Sequence, residues 1–129
     1  MQHLRADELI ERAREVAIRA YAPYSKFRVG AAVEDANATV YLGCNVENAS
    51  YGLTVCAERN AIFAAIAAGA PRPFIRIAVS CIDAPGGTPC GACRQVILEH
   101  FMPDAPVIVD GFGTFRADAL LPHPFRLDF

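Results

Sequence analysis

Between Asp7 and Ala20 the apolar positions Leu9, Ala13, Val16, Ala17 and Ala20 recur at helical spacing. Glu8, Glu11, Arg12, Arg14, Glu15 and Arg19 fill the other face, which predicts an amphipathic helix. Asp7 reads as its N-cap, and Pro23 ends the pattern. Two β-like runs follow, Arg28–Val33 and Thr39–Leu42, joined by the turn-prone Glu34-Asp35-Ala36-Asn37. They predict a hairpin. From Cys44 to Thr54 no period survives. Asn45, Asn48, Ser50 and Gly52 make this a loop suited to carrying function.

The pattern then turns apolar. Cys56–Ala68 predicts a second helix, stopped by Gly69 at the position after its C-cap with Pro71 just beyond. Phe74–Ile82 is a continuous apolar run of the kind buried on both faces of a sheet. Asp83–Pro89 is a Pro/Gly loop, Gly91 to about Phe101 a third helix, Pro106–Val109 a short buried strand, and Ala117–Leu121 a last helical turn. The order α-β-β-α-β-α-β implies a partly parallel sheet with helices packed on its faces. No repeat or linker divides residues 1–129, so one domain is expected.

Composition excludes several functions. Hydrophobic residues make up 53% of the 129 and charged residues 20%, too apolar for a disordered chain. With net charge −2 and one lysine, Lys26, a phosphate-tracking surface is not expected, and neither is a nucleic-acid partner. Met1–Arg19 has no apolar core of a secretory signal. The longest apolar run, Ala61–Ala70, is half a membrane span. Five cysteines without an export signal argue against a disulfide framework and for metal or redox chemistry. The expected location is cytoplasmic, with no membrane partner.

Those cysteines change the picture most. Cys56-Ala57-Glu58 and Pro89-Cys90-Gly91-Ala92-Cys93 each open a predicted helix, where free N–H groups and the positive dipole end favour a thiolate, the form that binds metal. Three sulfur ligands leave one position of a zinc ion open, as catalytic rather than structural sites do. Cys44, Cys81, His3, His100 and His123 lie outside short ligand spacings, and Cys44 and Cys81 read as small packing residues. Glu58, two residues after Cys56, stands near such an ion without ligating it and can act as general acid and base. Alone it would read as a helix-start carboxylate favoured by the dipole. A lone Cys-x-x-Cys is only moderately specific, but Cys-x-Glu followed 34 positions after Cys56 by Pro-Cys-x-x-Cys is the zinc deaminase pattern in its three-cysteine form. Three thiolates and one Zn²⁺ sum to −1, so Arg59 and Arg94 are candidates to donate to the sulfurs and offset the charge. Arg94 reads equally well as a solvated helix arginine.

Four segments in order carry a wider resemblance: Pro23-Tyr24-Ser25-Lys26-Phe27 with Val29-Gly30-Ala31-Ala32, Asn45-Val46-Glu47-Asn48-Ala49-Ser50-Tyr51-Gly52, Cys56-Ala57-Glu58-Arg59-Asn60-Ala61-Ile62, and Pro89-Cys90-Gly91-Ala92-Cys93-Arg94-Gln95-Val96. Together they resemble the small homotetrameric cytidine deaminases over nearly the whole chain. The resemblance implies an α/β fold, a three-layer α-β-α arrangement around a mixed five-stranded sheet. It implies one zinc ion per subunit and hydrolysis of cytidine and 2′-deoxycytidine to the uridine forms and ammonia. A metal-activated water would attack C4 while Glu58 shuttles protons. It places Asn45 and Glu47 at the ribose hydroxyls, Phe27 against the pyrimidine ring and the Ala57 N–H at the C2 carbonyl. Tyr51 and Phe125 would line an adjacent subunit's pocket. Without the resemblance, Asn45 and Glu47 read as loop residues capping a nearby turn, Phe27 as core and Phe125 as a tail anchor. Asn60 stands where relatives often carry Thr, and the tail ends soon after Phe125.

The nearest alternative is a same-fold deaminase of a modified cytosine nucleoside of the blasticidin type, against which Asn45-Val46-Glu47-Asn48-Ala49 argues. A polynucleotide editor fits poorly with a short, acidic, lysine-poor chain. A non-catalytic structural zinc module would require a fourth protein ligand and give Glu58 no role.

Overall fold

The computed structural model describes residues 2–127. Helix α1 (Ala6–Ala17) leads into strands β1 (Val29–Glu34) and β2 (Val40–Cys44), which form the expected antiparallel hairpin. A 3-10 turn, Tyr51–Leu53, interrupts the following loop. Then come α2 (Ala57–Ala67), β3 (Arg76–Cys81), α3 (Gly91–His100), β4 (Pro106–Val109), β5 (Gly113–Arg116) and a single turn α4 (Ala117–Leu120).

One five-stranded mixed sheet runs β2-β1-β3-β4-β5. β1 is antiparallel to both neighbours, β3 and β4 are parallel, and β5 returns antiparallel on β4. α1 packs its Leu9 and Ala13 on Ala32, Ala78 and Ile108 from one face. α2, α3 and α4 cover the other, with Ala61, Ile62, Ile97, Leu98 and Leu120 on Ala31, Val33, Ile77, Val79 and Val107. The fold is therefore the three-layer α-β-α arrangement.

Two glycines let the helices come this close. A Cβ at Gly30 would stand 2.0 Å from the Ala13 carbonyl oxygen, and one at Gly43 would stand 2.3 Å from the Ala61 nitrogen. Because side chains alternate across a strand, Gly30 opens the sheet to α1 and Gly43 opens it to α2. At these two points the helices lie on backbone rather than on side chains.

Two expectations at the chain's ends need correction. The N-cap of α1 is Arg5, not Asp7; Asp7 already lies inside the helix, where its carboxylate accepts from the Glu8 N–H at 3.0 Å. β5 had no counterpart in the hydrophobic pattern, because three of its four residues are exposed and it follows the turn-forming Gly111 and Phe112. α2 ends as anticipated, with Gly69 at φ +78, a left-handed conformation that favours glycine.

Candidate active site and metal centre

Cys56 is the N-cap of α2 and Cys90 the N-cap of α3, with Cys93 in the first turn of the same helix. The two helix starts meet beside the C-terminal end of β3. Their three sulfurs lie within 4.8 Å of one another, and those of Cys56 and Cys90 are 3.7 Å apart. Tetrahedral ligands about 2.3 Å from a zinc ion stand roughly 3.8 Å apart, so the spacing suits one such ion. No histidine, carboxylate or fourth cysteine joins the cluster among the described residues, which leaves a coordination position open.

Charge in the cluster is unevenly held. The Cys56 thiol is drawn down to about 5, first by the hydrogen bond from Cys93 and then by Arg59. Cys93 is pushed up because it donates to Cys56 and is buried. Arg59 Nη2 donates to Cys56 Sγ at 3.4 Å, while its buried Nε has no partner among the described residues. One guanidinium offsets a single unit of a three-thiolate charge; a divalent cation offsets two more, and with Arg59 beside it the sum reaches zero. The donor set fits zinc.

Glu58 lies in the first turn of α2 and is only 5% exposed. Its carboxyl is pushed up to about 7, chiefly by burial and further by the Cys56 charge. Among the described residues it takes no hydrogen bond from another side chain. It lines a cavity of about 360 Å³ together with Cys56, Cys90, Ala57, Phe27, Val29, Asn45, Thr54, Val79, Cys81, Ala84, Gly87 and Thr88. A pocket of this size, apolar in its walls with a few convergent polar groups, suits a small molecule.

A match to the family model described as "Cytidine and deoxycytidylate deaminase zinc-binding region" covers residues 4–108. A curated cytidine deaminase of Halalkalibacterium halodurans is 48% identical over 127 residues, 93% of each chain. One from Mycobacterium tuberculosis is 44% identical over 122 residues, 90% of this chain and 86% of the relative. The crystal structure of cytidine deaminase from Burkholderia pseudomallei superposes with a TM-score of 0.88 at 47% identity, covering 95% of this chain and 100% of that one. The chain belongs to the cytidine and deoxycytidylate deaminase family. Members are zinc-dependent hydrolases, and a trio of cysteine sulfurs beside a buried carboxylate is the equipment for that chemistry.

Against that family the remaining candidates sort by place. Phe27, Asn45 and Ala57 share the cavity with Glu58. Ala57 is the first residue of α2, so its N–H is one of the helix's unbonded donors. Asn45 has structural work as well: its Oδ1 accepts from the Val29 N–H at 2.8 Å, and its Nδ2 donates to the Phe27 carbonyl at 2.8 Å. Glu47 lies in an adjoining cavity with Tyr24, Ser25, Tyr51 and Thr54. Its carboxylate accepts the N–H groups of Tyr24 and Ser25, at 2.9 and 3.1 Å, and the Ser25 hydroxyl. The hydrogen bond from Ser25 holds it below the usual carboxylate range.

Tyr51 and Phe125 are 73% and 69% exposed, and neither borders the cavity that contains Glu58. Arg94 bonds no sulfur among the described residues. It donates to the Pro89 carbonyl at 2.8 Å, the Leu120 carbonyl at 3.0 Å and Thr88 Oγ1 at 3.1 Å. Sequence reasoning overlooked Cys81 and the Ala84–Thr88 stretch as cavity wall. The available signal was adjacency, since this loop runs straight into Pro89-Cys90.

Proposed function

We propose that this protein hydrolyses cytidine and 2′-deoxycytidine to uridine and 2′-deoxyuridine with release of ammonia, using residues 1–129 as a single catalytic domain. The observation that carries the reading is an open trio of sulfurs beside the buried carboxylate of Glu58, with Cys56, Cys90 and Glu58 lining one cavity. Cys56, Cys90 and Cys93 would hold the zinc ion, which when bound makes a water molecule acidic enough to serve as nucleophile near neutral pH.

The rest falls to the chain. Phe27 and Val29 offer an apolar wall for the ring. The free Ala57 N–H is available to the C2 carbonyl. Asn45 and Glu47 each keep hydrogen-bonding capacity beyond their internal partners for the sugar hydroxyls. Glu58, with a pKa of about 7, is matched to both taking and giving a proton near pH 7. The water oxygen bonds to C4 and the C4–N4 bond breaks. Of the two water protons, Glu58 delivers one to N3 and the other to N4, which leaves as ammonia. Ring and sugar are otherwise unchanged.

The reading extends to assembly and location. Four copies are proposed to associate, with Tyr51 and Phe125 completing neighbouring sites; the exposure of both rings supports this. A reducing compartment such as the cytoplasm keeps thiolates available for metal.

Ammonia release from cytidine by zinc-loaded wild type and Glu58→Gln tests the function. Wild type is expected to turn over, and Glu58→Gln to lose about 10²–10⁴ in kcat while zinc content stays the same. Equal inactivity of both proteins with zinc bound would overturn the reading and favour a structural zinc module.

A further inference from the structure

The cavity has two walls from distant parts of the chain. One is Phe27 and Val29, at the entry to β1; the other is Ala84–Thr88, between β3 and the Pro89-Cys90 step. Backbone pairing joins them only as far as the Ile82 N–H, which donates to the Arg28 carbonyl at 3.1 Å. Beyond that bond one side chain continues the join. Asp83 Oδ2 accepts from the Arg28 backbone N–H at 2.8 Å and from Arg28 Nε at 3.1 Å, while Oδ1 accepts from Arg28 Nη2 at 2.9 Å.

Elsewhere the second wall has few backbone bonds. Gly86 sits at φ +92 with its N–H 3.3 Å from the Asp110 carbonyl, and a Cβ added at Gly87 would meet no atom within 4 Å. Arg94 secures the far end through Thr88 and Pro89. Arg94 thus fixes the metal side of the loop, and Asp83 fixes the side facing Phe27.

We infer that Arg28 and Asp83 form a positioning clamp that sets the separation between Phe27 and the Ala84–Thr88 wall and thereby places the pyrimidine ring of the substrate. The inference rests on the deaminase reading above. Neither side chain borders the cavity, so both act through their neighbours. The paired guanidinium contacts fix an angle as well as a distance. The third bond grips the Arg28 amide, one peptide unit from Phe27, so a shift of Asp83 passes directly to the aromatic wall. With the Arg28 side chain 44% exposed, the ion pair itself adds little to global stability. Geometry is what its removal changes.

The test compares zinc-loaded wild type, Asp83→Ala and Asp83→Asn in cytidine turnover, uridine inhibition, zinc content and melting temperature. Asp83→Ala is expected to raise both KM for cytidine and the inhibition constant of uridine roughly tenfold, with kcat changed less than about threefold and full zinc occupancy. Asp83→Asn, which keeps an acceptor for the Arg28 N–H, is expected to recover much of that loss. Wild-type KM and uridine inhibition in Asp83→Ala overturn the clamp. So does a fall in kcat that tracks zinc loss, which would make Asp83 a support of the metal centre. Where Asp83→Ala does not fold, Arg28→Ala, which keeps its backbone N–H, decides by the same KM and uridine readouts. A wild type that releases no ammonia from cytidine defeats the deaminase reading itself, whereas an active wild type beside an unaltered variant defeats only the clamp.

Discussion

Glu34 has no exposed surface and meets Arg76 Nε at 2.7 Å, with His3 Nδ1 at 3.3 Å and the Leu4 N–H at 3.4 Å. Burial alone would raise its pKa, but Arg76, His3 and Leu4 more than offset that and hold it below the ordinary carboxylate value. A carboxylate whose pKa is depressed on folding contributes stability that is present above its unfolded value, about 4.3. That contribution is lost as pH falls through the folded value. Urea titrations should therefore find Glu34→Gln less stable than wild type by roughly 1.5–3 kcal/mol at pH 7, with the gap closing as pH drops below about 4. A gap that stayed constant to pH 3 would show that shape rather than charge matters there.

The same scale explains what sequence could reveal about the arginines. Arg59 stands three residues after Cys56, a spacing that places side chains on one helical face, and it reaches the sulfur. Arg94 follows Cys93 by one residue, about 100° around the helix, and its donors go to Pro89, Thr88 and Leu120 instead. Spacing alone does not decide, since Arg94 also stands four residues after Cys90 and is still taken up by those oxygens. The donors that meet Glu47 lie 22 and 23 residues upstream, and nothing in residue order announces such a pairing.

At the scale of elements, the hairpin, α2, α3 and β4 were legible because each is a periodic or continuously apolar run between strong stops. β5 was not, because an exposed edge strand needs no apolar face. The glycine contacts under α1 and α2 were equally hidden, since a glycine within a strand pattern signals close approach without saying by what. Gly30→Ala and Gly43→Ala are each expected to cost about 1–3 kcal/mol or more, seen as a melting temperature lowered by several degrees. Gly52→Ala, with no atom within 4 Å of the added carbon, should melt within a degree or two of wild type. Equal melting of all three variants would mean that the helices retreat from the sheet without penalty.

For the whole molecule, Tyr51, Leu53, Phe63, Ile66 and Phe125 all remain well exposed on the single chain. Where exposed apolar side chains adjoin, they commonly mark contact surfaces. Four chains of 13.9 kDa would elute as a particle of about 56 kDa. The sharper check is functional. If Phe125 works in a neighbour's pocket, Glu58→Gln and Phe125→Ala chains, each nearly inactive alone, should regain activity when unfolded together and reassembled. In mixed particles, some sites combine an intact Glu58 with an intact Phe125 from the next chain. Activity no greater than the sum of the two separate variants would place Phe125 in its own chain's service.

Asn45 and Glu47 each grip the segment that presents Phe27, one through Phe27 and Val29, the other through Tyr24 and Ser25. A library built to relax sugar preference by randomising these two positions would therefore also unseat the wall against which the base rests. Most members would be poor catalysts for every nucleoside, and their failure would say nothing about which sugars the pocket can accept. Altered selectivity is better sought at Thr54, which borders both cavities and makes no side-chain hydrogen bond to the Phe27 segment among the described residues.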